Sequence, residues 1–278
     1  MIQWYPGHMA KARAEIQEKI KLVDVVFELL DARIPYSSQN PVFQDLMHQK
    51  KVITILTKQD LADSTMTKKW LSYLGKQKEV IAIDAISNYH INEMVRLAKK
   101  VMEPKRLKDQ EKGLKPRPIR VMVLGIPNVG KSTLINRLVQ KKVTQVGNKP
   151  GITKAQQWIR IHQDMELLDT PGVLWPKFDE ERIGYHLALT GAIKDEILRK
   201  EDLVQYLLAF CQQYYPEAFL TYYQITNQEQ NALIDAIGKK KGYDRLKSGD
   251  EDKIYDAIIQ DFRTLKLGRI TLDRLQDE

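Results

Sequence analysis

Residues Gly125-Ile126-Pro127-Asn128-Val129-Gly130-Lys131-Ser132 fit the pattern GxxxxGK(S/T), a loop that cradles phosphate only when a strand precedes it and a helix follows. The apolar run at 119–124 (IRVMVL) predicts the strand, and the helix is predicted to open at Lys131. Backbone N–H groups and the helix N-terminus can then surround a β-phosphate with no Cβ in the way. Val129, Gly130 and Thr133 belong to this wrap, Lys131 adds a point charge for the β/γ oxygens, and Ser132 offers a hydroxyl to Mg²⁺. A second nucleotide motif, Thr57-Lys58-Gln59-Asp60, lies upstream of this loop. The usual order puts the phosphate loop first and the base reader after it. The same parts are therefore joined here in a rotated sequence, which keeps the site and changes what hangs from it.

Apolar runs rich in β-branched residues recur at 23–30 (VDVVFELL), 52–56 (VITIL), 80–83 (VIAI), 119–124 and 165–168 (MELL), separated by helical stretches. Continuous rather than alternating hydrophobicity predicts parallel strands covered on both faces, hence a doubly wound α/β domain. A ligand is expected at the carboxyl ends of its strands, where every motif here falls. Between Lys99 and Arg120 lie nine basic residues, three prolines and one glycine, with little apolar periodicity. We take this stretch as the seam of the rotation; an ordinary surface loop has the same composition. From about Asp179 the pattern turns helical, so residues 1–178 and 179–278 are expected to form a nucleotide-binding domain and a small helical bundle. Thr226-Asn227-Gln228-Glu229 and Ser248-Gly249-Asp250-Glu251 predict capping boxes. The first should open a helix that buries Leu233 and Ile237 and stops at Gly238; the second, one that buries Ile254, Ile258, Phe262 and Leu265.

Asp60 can accept from both N1–H and N2–H₂ of guanine, whereas adenine offers a lone pair at N1 and no 2-amino group, so a buried carboxylate rejects ATP. The Lys58 stem can lie over the purine face, and Thr57 opens the motif after its strand. Asp84-Ala85 would supply backbone N–H to guanine O6; a plain strand-to-loop turn is the competing reading. Downstream, Asp169 in Leu168-Asp169-Thr170-Pro171-Gly172 should reach Mg²⁺, and Gly172 lets its N–H approach the γ-phosphate. Thr153, between these motifs, is the candidate second hydroxyl ligand of Mg²⁺.

The net charge is +8 over 278 residues, and its distribution is uneven: residues 1–178 hold 30 Lys+Arg against 17 Asp+Glu. That excess suits a polyanionic partner, chiefly nucleic acid, with solvated charge as the alternative; no DNA partner is expected. The same pair of readings holds for Lys239, Lys240, Lys241, Arg245 and Lys247. Cys211 is the only cysteine, which excludes an intrachain disulfide, suits a reducing cytoplasm and predicts a small buried apolar residue. No run is long enough for a membrane span, and the N-terminus has no export signal.

Taken together, the motifs resemble the circularly permuted GTPases. Trp4-Tyr5-Pro6-Gly7-His8-Met9-Ala10-Lys11-Ala12, Asp31-Ala32-Arg33-Ile34-Pro35 and Pro171-Gly172-Val173-Leu174-Trp175-Pro176 resemble the ribosome biogenesis GTPase A family specifically, over essentially the whole chain. The resemblance implies a permuted P-loop GTPase domain plus a helical C-terminal domain, GTP/GDP and Mg²⁺ as ligands, and a role in late maturation of the 50S subunit. Thr57 departs from the Asn usual in that family, and Asp84-Ala85 from a Ser-containing pair, so altered affinity but unaltered base choice is expected. Val173 stands where many GTPases carry a water-orienting glutamine, which leaves His8 as the first candidate for that task; the resemblance points to the same histidine. A histidine that only satisfies local hydrogen bonds is the alternative. His48, His90, His162 and His186 lack metal-like spacing and are read as structural. Asn128 resembles the residue that binds K⁺ in cation-dependent GTPases. Hydrolysis is expected to be slow alone and stimulated by the 50S precursor and its rRNA, the chain acting as a monomer. The competing functions are a nucleotide-gated RNA placement factor with incidental hydrolysis and, opposed by Asp60, an ATP-dependent RNA enzyme.

Overall fold

The computed structural model describes residues 6–139, 158–168, 180–194, 197–225 and 229–275, with side chains from residue 13 onward. Its centre is a six-stranded sheet: β1 (Val25–Asp31), β2 (Lys51–Thr57), β3 (Glu79–Ala82), β4 (Ile119–Gly125), β5 (Trp158–His162) and β6 (Met165–Leu168). The spatial order is β3-β2-β1-β4-β6-β5, parallel throughout except for β5, which runs antiparallel to β6 at the edge. From β1 the chain winds outward to β2 and β3, and from β4 it winds the other way. The order therefore reverses between β1 and β4, and the carboxyl ends of these two strands flank the crevice where such sheets bind ligands.

All seven residues of β1 are buried, as a central strand covered on both faces requires. On one face Val26, Met122 and Leu124 pack against Ile16 and Ile20 and against Phe43 and Met47 of α2 (Pro41–Met47). Ile16 lies on α1 (Pro6–Lys19), is fully buried, and fastens that helix with roughly 1.5–3 kcal/mol of burial. Trp70 of α3 (Ser64–Leu74) packs with Leu30 and Leu56. On the other face Phe27, Leu29, Val121 and Val123 meet Met94, Ala98 and Met102 of α4 (Ile91–Glu111) and Leu134 of α5 (Lys131–Leu138). Glu28, the break in the first apolar run, is buried but satisfied by Gln44, Thr54 and Lys78 at 2.9, 2.8 and 3.1 Å.

The seam is narrower than its composition predicts, because α4 continues through Pro104 to Glu111 and leaves only 112–118 irregular. Asp24 pins it: its carboxylate accepts from Lys105 (2.6 Å), Arg117 (2.6 and 2.8 Å) and the Arg120 N–H (2.9 Å). Burial would raise this carboxyl, but Arg117, Lys105 and the Arg120 N–H outweigh it and bring it down from 3.8 to about 2. A depressed folded pKa gives stability that is full above the unfolded value and is lost as pH falls from about 4 to 2. Asp24→Asn should therefore lower stability by on the order of 1–2 kcal/mol at neutral pH, after allowance for the half-exposed cations. Urea titrations at pH 7 and pH 3 should differ less for the variant than for the parent.

The C-terminal part contributes α6 (Glu181–Leu189), α7 (Lys200–Tyr214), α8 (Glu217–Tyr223), α9 (Gln230–Lys241) and α10 (Asp250–Arg263). Their buried residues join the same hydrophobic cluster as α4 and α5. Cys211 is fully buried on α7, and burial pushes its thiol up to about 12, as befits an apolar filler. Helix α9 does not stop at Gly238; it ends at Gly242, whose φ of 80° closes the helix. Gly238 instead packs inside the helix, where a Cβ would come within 2.6 Å of Ile254. Ser248 does not cap α10: Gly249 holds that position, and Asp250, Glu251 and Asp252 place negative charge in the first turn. Ile254, Ile258 and Phe262 are buried on α10 as expected, whereas Leu265 lies past its end with φ 64°. Residues 226–228 of the other expected cap lie outside the described residues. Beyond α10 an extended segment returns to the sheet-containing part, which periodicity does not anticipate. No described helix is long and apolar enough to cross a membrane.

Candidate functional site

The phosphate loop follows β4 and ends in α5, with Gly130 at φ 107° as the residue before the helix. At Gly125 a Cβ would sit 3.0 Å from the Leu29 carbonyl and 2.9 Å from Val129, so only glycine lets the loop leave the sheet here. Lys131 Nζ donates to the carbonyls of Gly125 (2.9 Å) and Ile126 (2.8 Å). Burial pulls its ammonium down to about 8, and no carboxylate among the described residues pairs with it. A desolvated cation held only by carbonyls, at the mouth of a helix N-terminus, is built to meet an anion. Ser132 and Thr133 stand exposed in the first turn of α5, as a phosphate and Mg²⁺ site requires.

The Thr57-Lys58-Gln59-Asp60 segment joins this loop through the side chains of Thr57 and Lys58. Thr57 Oγ1 donates to the Val129 carbonyl at 2.6 Å and lies 3.0 Å from the Leu30 carbonyl. The threonine thus keeps a brace from the base motif to the phosphate loop, with one proton where an asparagine amide offers two. Lys58, at φ 55°, reaches the Asn128 carbonyl at 2.6 Å and Asp31 Oδ2 at 2.9 Å. Asp31 ends β1, is buried, and also accepts a two-pronged contact from Arg33 at 2.9 and 2.7 Å. Burial alone would raise the Asp31 carboxyl, but Arg33 and Lys58 hold it well below the usual carboxylate range.

Asp60 sits in the single helical turn Gln59–Leu61 that follows Lys58. Burial first, and the nearby Asp84 charge second, raise its pKa, while Arg269 and Arg33 oppose them. No described side chain donates a hydrogen bond to it, so two N–H donors on a ligand edge suit it. Asp84 does not face outward: its carboxylate accepts from the N–H of Ile86 (2.8 Å) and Ser87 (3.2 Å), which shapes the loop. Ala85 is held through its carbonyl by Arg137 Nε at 2.8 Å, so α5 of the phosphate loop also carries the loop at Asp84-Ala85.

Asn128, at φ 56°, donates through Nδ2 to the Gly191 carbonyl at 2.8 Å, just after α6. The phosphate loop therefore touches the helical part directly. His8 lies in the first turn of α1, but its side chain is outside the described residues, as are Thr153, Asp169 and Gly172 entirely. His186 is structural: buried, it contacts Ser37, Asp273 and Tyr206 at 2.8, 2.8 and 2.6 Å. Of the five cations, Lys239, Lys240 and Lys241 lie in the last turn of α9 and Arg245 and Lys247 beyond it; three are already partnered, Lys241 by Asp261, Arg245 by Glu251 and Lys240 by the Tyr223 carbonyl. Motif spacing did not reveal Arg137, or Asp31 and Arg33 as braces; only an acidic residue closing an apolar strand signalled Asp31.

A family model described as 50S ribosome-binding GTPase matches residues 120–239, and one described as ethanolamine utilisation – propanediol utilisation matches residues 6–100. Ribosome biogenesis GTPase A of Bacillus licheniformis is 46% identical, covering 100% of this chain and 99% of that protein. The protein of the same name from Thermotoga maritima is 32% identical over 99% of this chain and 95% of its own length. The crystal structure of GNP-bound YlqF from T. maritima superposes with a TM-score of 0.63 at 26% identity, covering 95% of this chain and 98% of that one. A permuted phosphate loop, a base motif bonded to it across the switch point, and relatives matched end to end converge: the chain belongs to the ribosome biogenesis GTPase A family.

Proposed function

We propose that this GTPase binds the immature large ribosomal subunit through its rRNA and couples GTP hydrolysis to a late step of assembly, working as a monomer in the cytoplasm. The observation that carries the nucleotide part is the pair of bonds from Thr57 and Lys58 to the phosphate loop, which join motifs in rotated order and support a single purine pocket. In this reading Asp60 selects guanine, Lys58 lies along the base, and Val129 to Thr133 wrap the phosphates. Ser132, Thr153 and Asp169 form an all-oxygen set that fits Mg²⁺, which when bound neutralises charge on the β- and γ-phosphates. Asn128 Oδ1 would be the K⁺ ligand, since its amide nitrogen is engaged with Gly191.

His8 would position the attacking water, because Val173 cannot. The contacts from Asn128 to Gly191 and from Arg33 to the Thr190 carbonyl support coupling between nucleotide and helical part. GTP would favour the conformation that binds the particle and hydrolysis the one that leaves it. GTP turnover should rise at least tenfold when isolated immature large subunits are added, and rise further in potassium over sodium. Turnover unchanged by the particle would remove the subunit from the proposal, and turnover unchanged by the cation would remove K⁺.

A further inference from the structure

We propose that the C-terminal segment 269–273 is a working part of the guanine site, with Thr271 and Tyr215 acting as positioning residues for Asp60 through Asp63. This rests on the reading of Asp60 as the guanine acceptor. Asp63 lies one residue beyond the turn Gln59–Leu61 that carries Asp60, after Ala62, and is the N-cap of α3, where its Oδ1 accepts from the N–H groups of Thr65 (2.7 Å) and Met66 (3.2 Å). Its carbonyl accepts from the Thr67 N–H and hydroxyl within α3, and its N–H and Oδ2 are both held by residues of the C-terminal part. The Asp63 N–H donates to Thr271 Oγ1 at 3.1 Å, and Asp63 Oδ2 accepts from the Tyr215 hydroxyl at 3.0 Å. Tyr215 accepts in turn from the Thr271 N–H (3.2 Å) and Arg274 (3.2 Å); its single proton has two acceptors in reach, Asp63 Oδ2 at 3.0 Å and the Thr271 carbonyl at 3.4 Å, and the shorter bond to the carboxylate is favoured.

The same segment grips the other wall of the pocket. Leu272 N–H donates to the Arg33 carbonyl at 2.8 Å, and the buried Asp273 accepts from the N–H groups of Tyr36 (2.7 Å) and Ser37 (2.8 Å). Trp70 Nε1 of α3 donates to the Asp273 carbonyl at 3.3 Å. The segment is therefore wedged between the loop after β1, which orders Asp31, Arg33 and Lys58, and the N-terminus of α3, which orders Asp60. Arg269 at its start is exposed, and its charge favours the ionised form of Asp60 against Asp84. Helical-part residues thereby set the orientation and the charge state of the base acceptor.

The test compares GDP with IDP, which lacks only the 2-amino group that Asp60 would engage. Equilibrium binding of the two fluorescent N-methylanthraniloyl nucleotides is measured for the full chain and for Thr271→Val, Thr271→Ser and Tyr215→Phe. The valine and phenylalanine variants should bind GDP about three- to tenfold more weakly and IDP less affected, so that the GDP/IDP preference falls. Serine at 271 should restore it, and kcat at saturating GTP should stay within about twofold in all three. Unchanged GDP binding in both variants, or equal weakening of GDP and IDP, would overturn the inference. If Thr271→Val does not fold, Tyr215→Phe decides alone. Asp60→Asn separates the two levels: if it leaves the GDP/IDP preference intact, the reading of Asp60 fails and takes the inference with it. If it abolishes the preference while the tail variants keep it, the inference alone fails.

Discussion

Asp31→Ala is expected to lower folding stability by about 3–5 kcal/mol and to weaken nucleotide binding far more than any single surface change. The Asp31 and Arg33 side chains are only 3% and 6% exposed, and the carboxylate is the counter-charge of the guanidinium. Removing it leaves Arg33 with the Thr190 carbonyl at 3.3 Å and no buried anion. Lys58 loses one of its two anchors, so its stem is no longer fixed between β1 and the phosphate loop. Because Arg33 and Lys58 hold the Asp31 carboxyl low against burial, its contribution is present above the unfolded value near 4 and lost only as pH falls through the depressed folded value. Urea unfolding at pH 7 reads the first effect and GDP titration the second. A loss under 1 kcal/mol would mean that Arg33 escapes to water. Asp31→Asn, which keeps the shape but not the charge, should fall between parent and alanine.

Five of the six strands are legible in the sequence because a parallel strand covered on both faces reads as an unbroken apolar run. β5 (WIRIH) is not: it is an antiparallel edge strand with exposed Arg160, and a five-residue alternation does not stand out from a loop. α4 is misjudged for a related reason. Its apolar face ends at Met102, and the remaining turns up to Glu111 are mostly solvent-facing Lys, Arg, Gln and Glu, which favour a helix without showing a stripe. Gly238 shows the limit of reading glycine as a stop, since its missing side chain serves close packing on Ile254.

The nucleotide motifs are legible because each is a local pattern of a few residues. The contacts that hold them together are not. Arg137 lies 52 residues from Ala85, Lys58 lies 70 residues from Asn128, and Thr271 lies 208 residues from Asp63. Nothing in a local window ties a terminal threonine to a guanine motif. The role of Thr57 was equally hidden: its identity alone puts the asparagine-type brace in doubt, whereas the geometry shows its hydroxyl reaching the Val129 carbonyl.

Asp60→Asn should reduce GTP affinity by about a hundredfold or more and raise affinity for XTP. On the proposed reading the acceptor-only carboxylate would meet two donors on guanine, N1–H and N2–H₂, whereas an asparagine amide would set its own NH₂ against one of them. Losing one charge-assisted bond and opposing two donors costs on the order of 3 kcal/mol, which is about a hundredfold in affinity. Xanthine carries a carbonyl in place of the 2-amino group, so the same amide can accept from N1–H and donate to O2. Burial and Asp84 raise the Asp60 pKa, and only the ionised form accepts twice. Guanine affinity of the parent should therefore weaken as pH falls through that raised value, and the xanthine affinity of the variant should lack this step. Since Asp60 makes no bond to Lys131 or Ser132, the variant saturated with XTP should turn over at the rate the parent shows with GTP. A turnover rate that drops together with the affinity would mean that the base motif also orders the phosphate loop during hydrolysis, through Thr57 and Lys58.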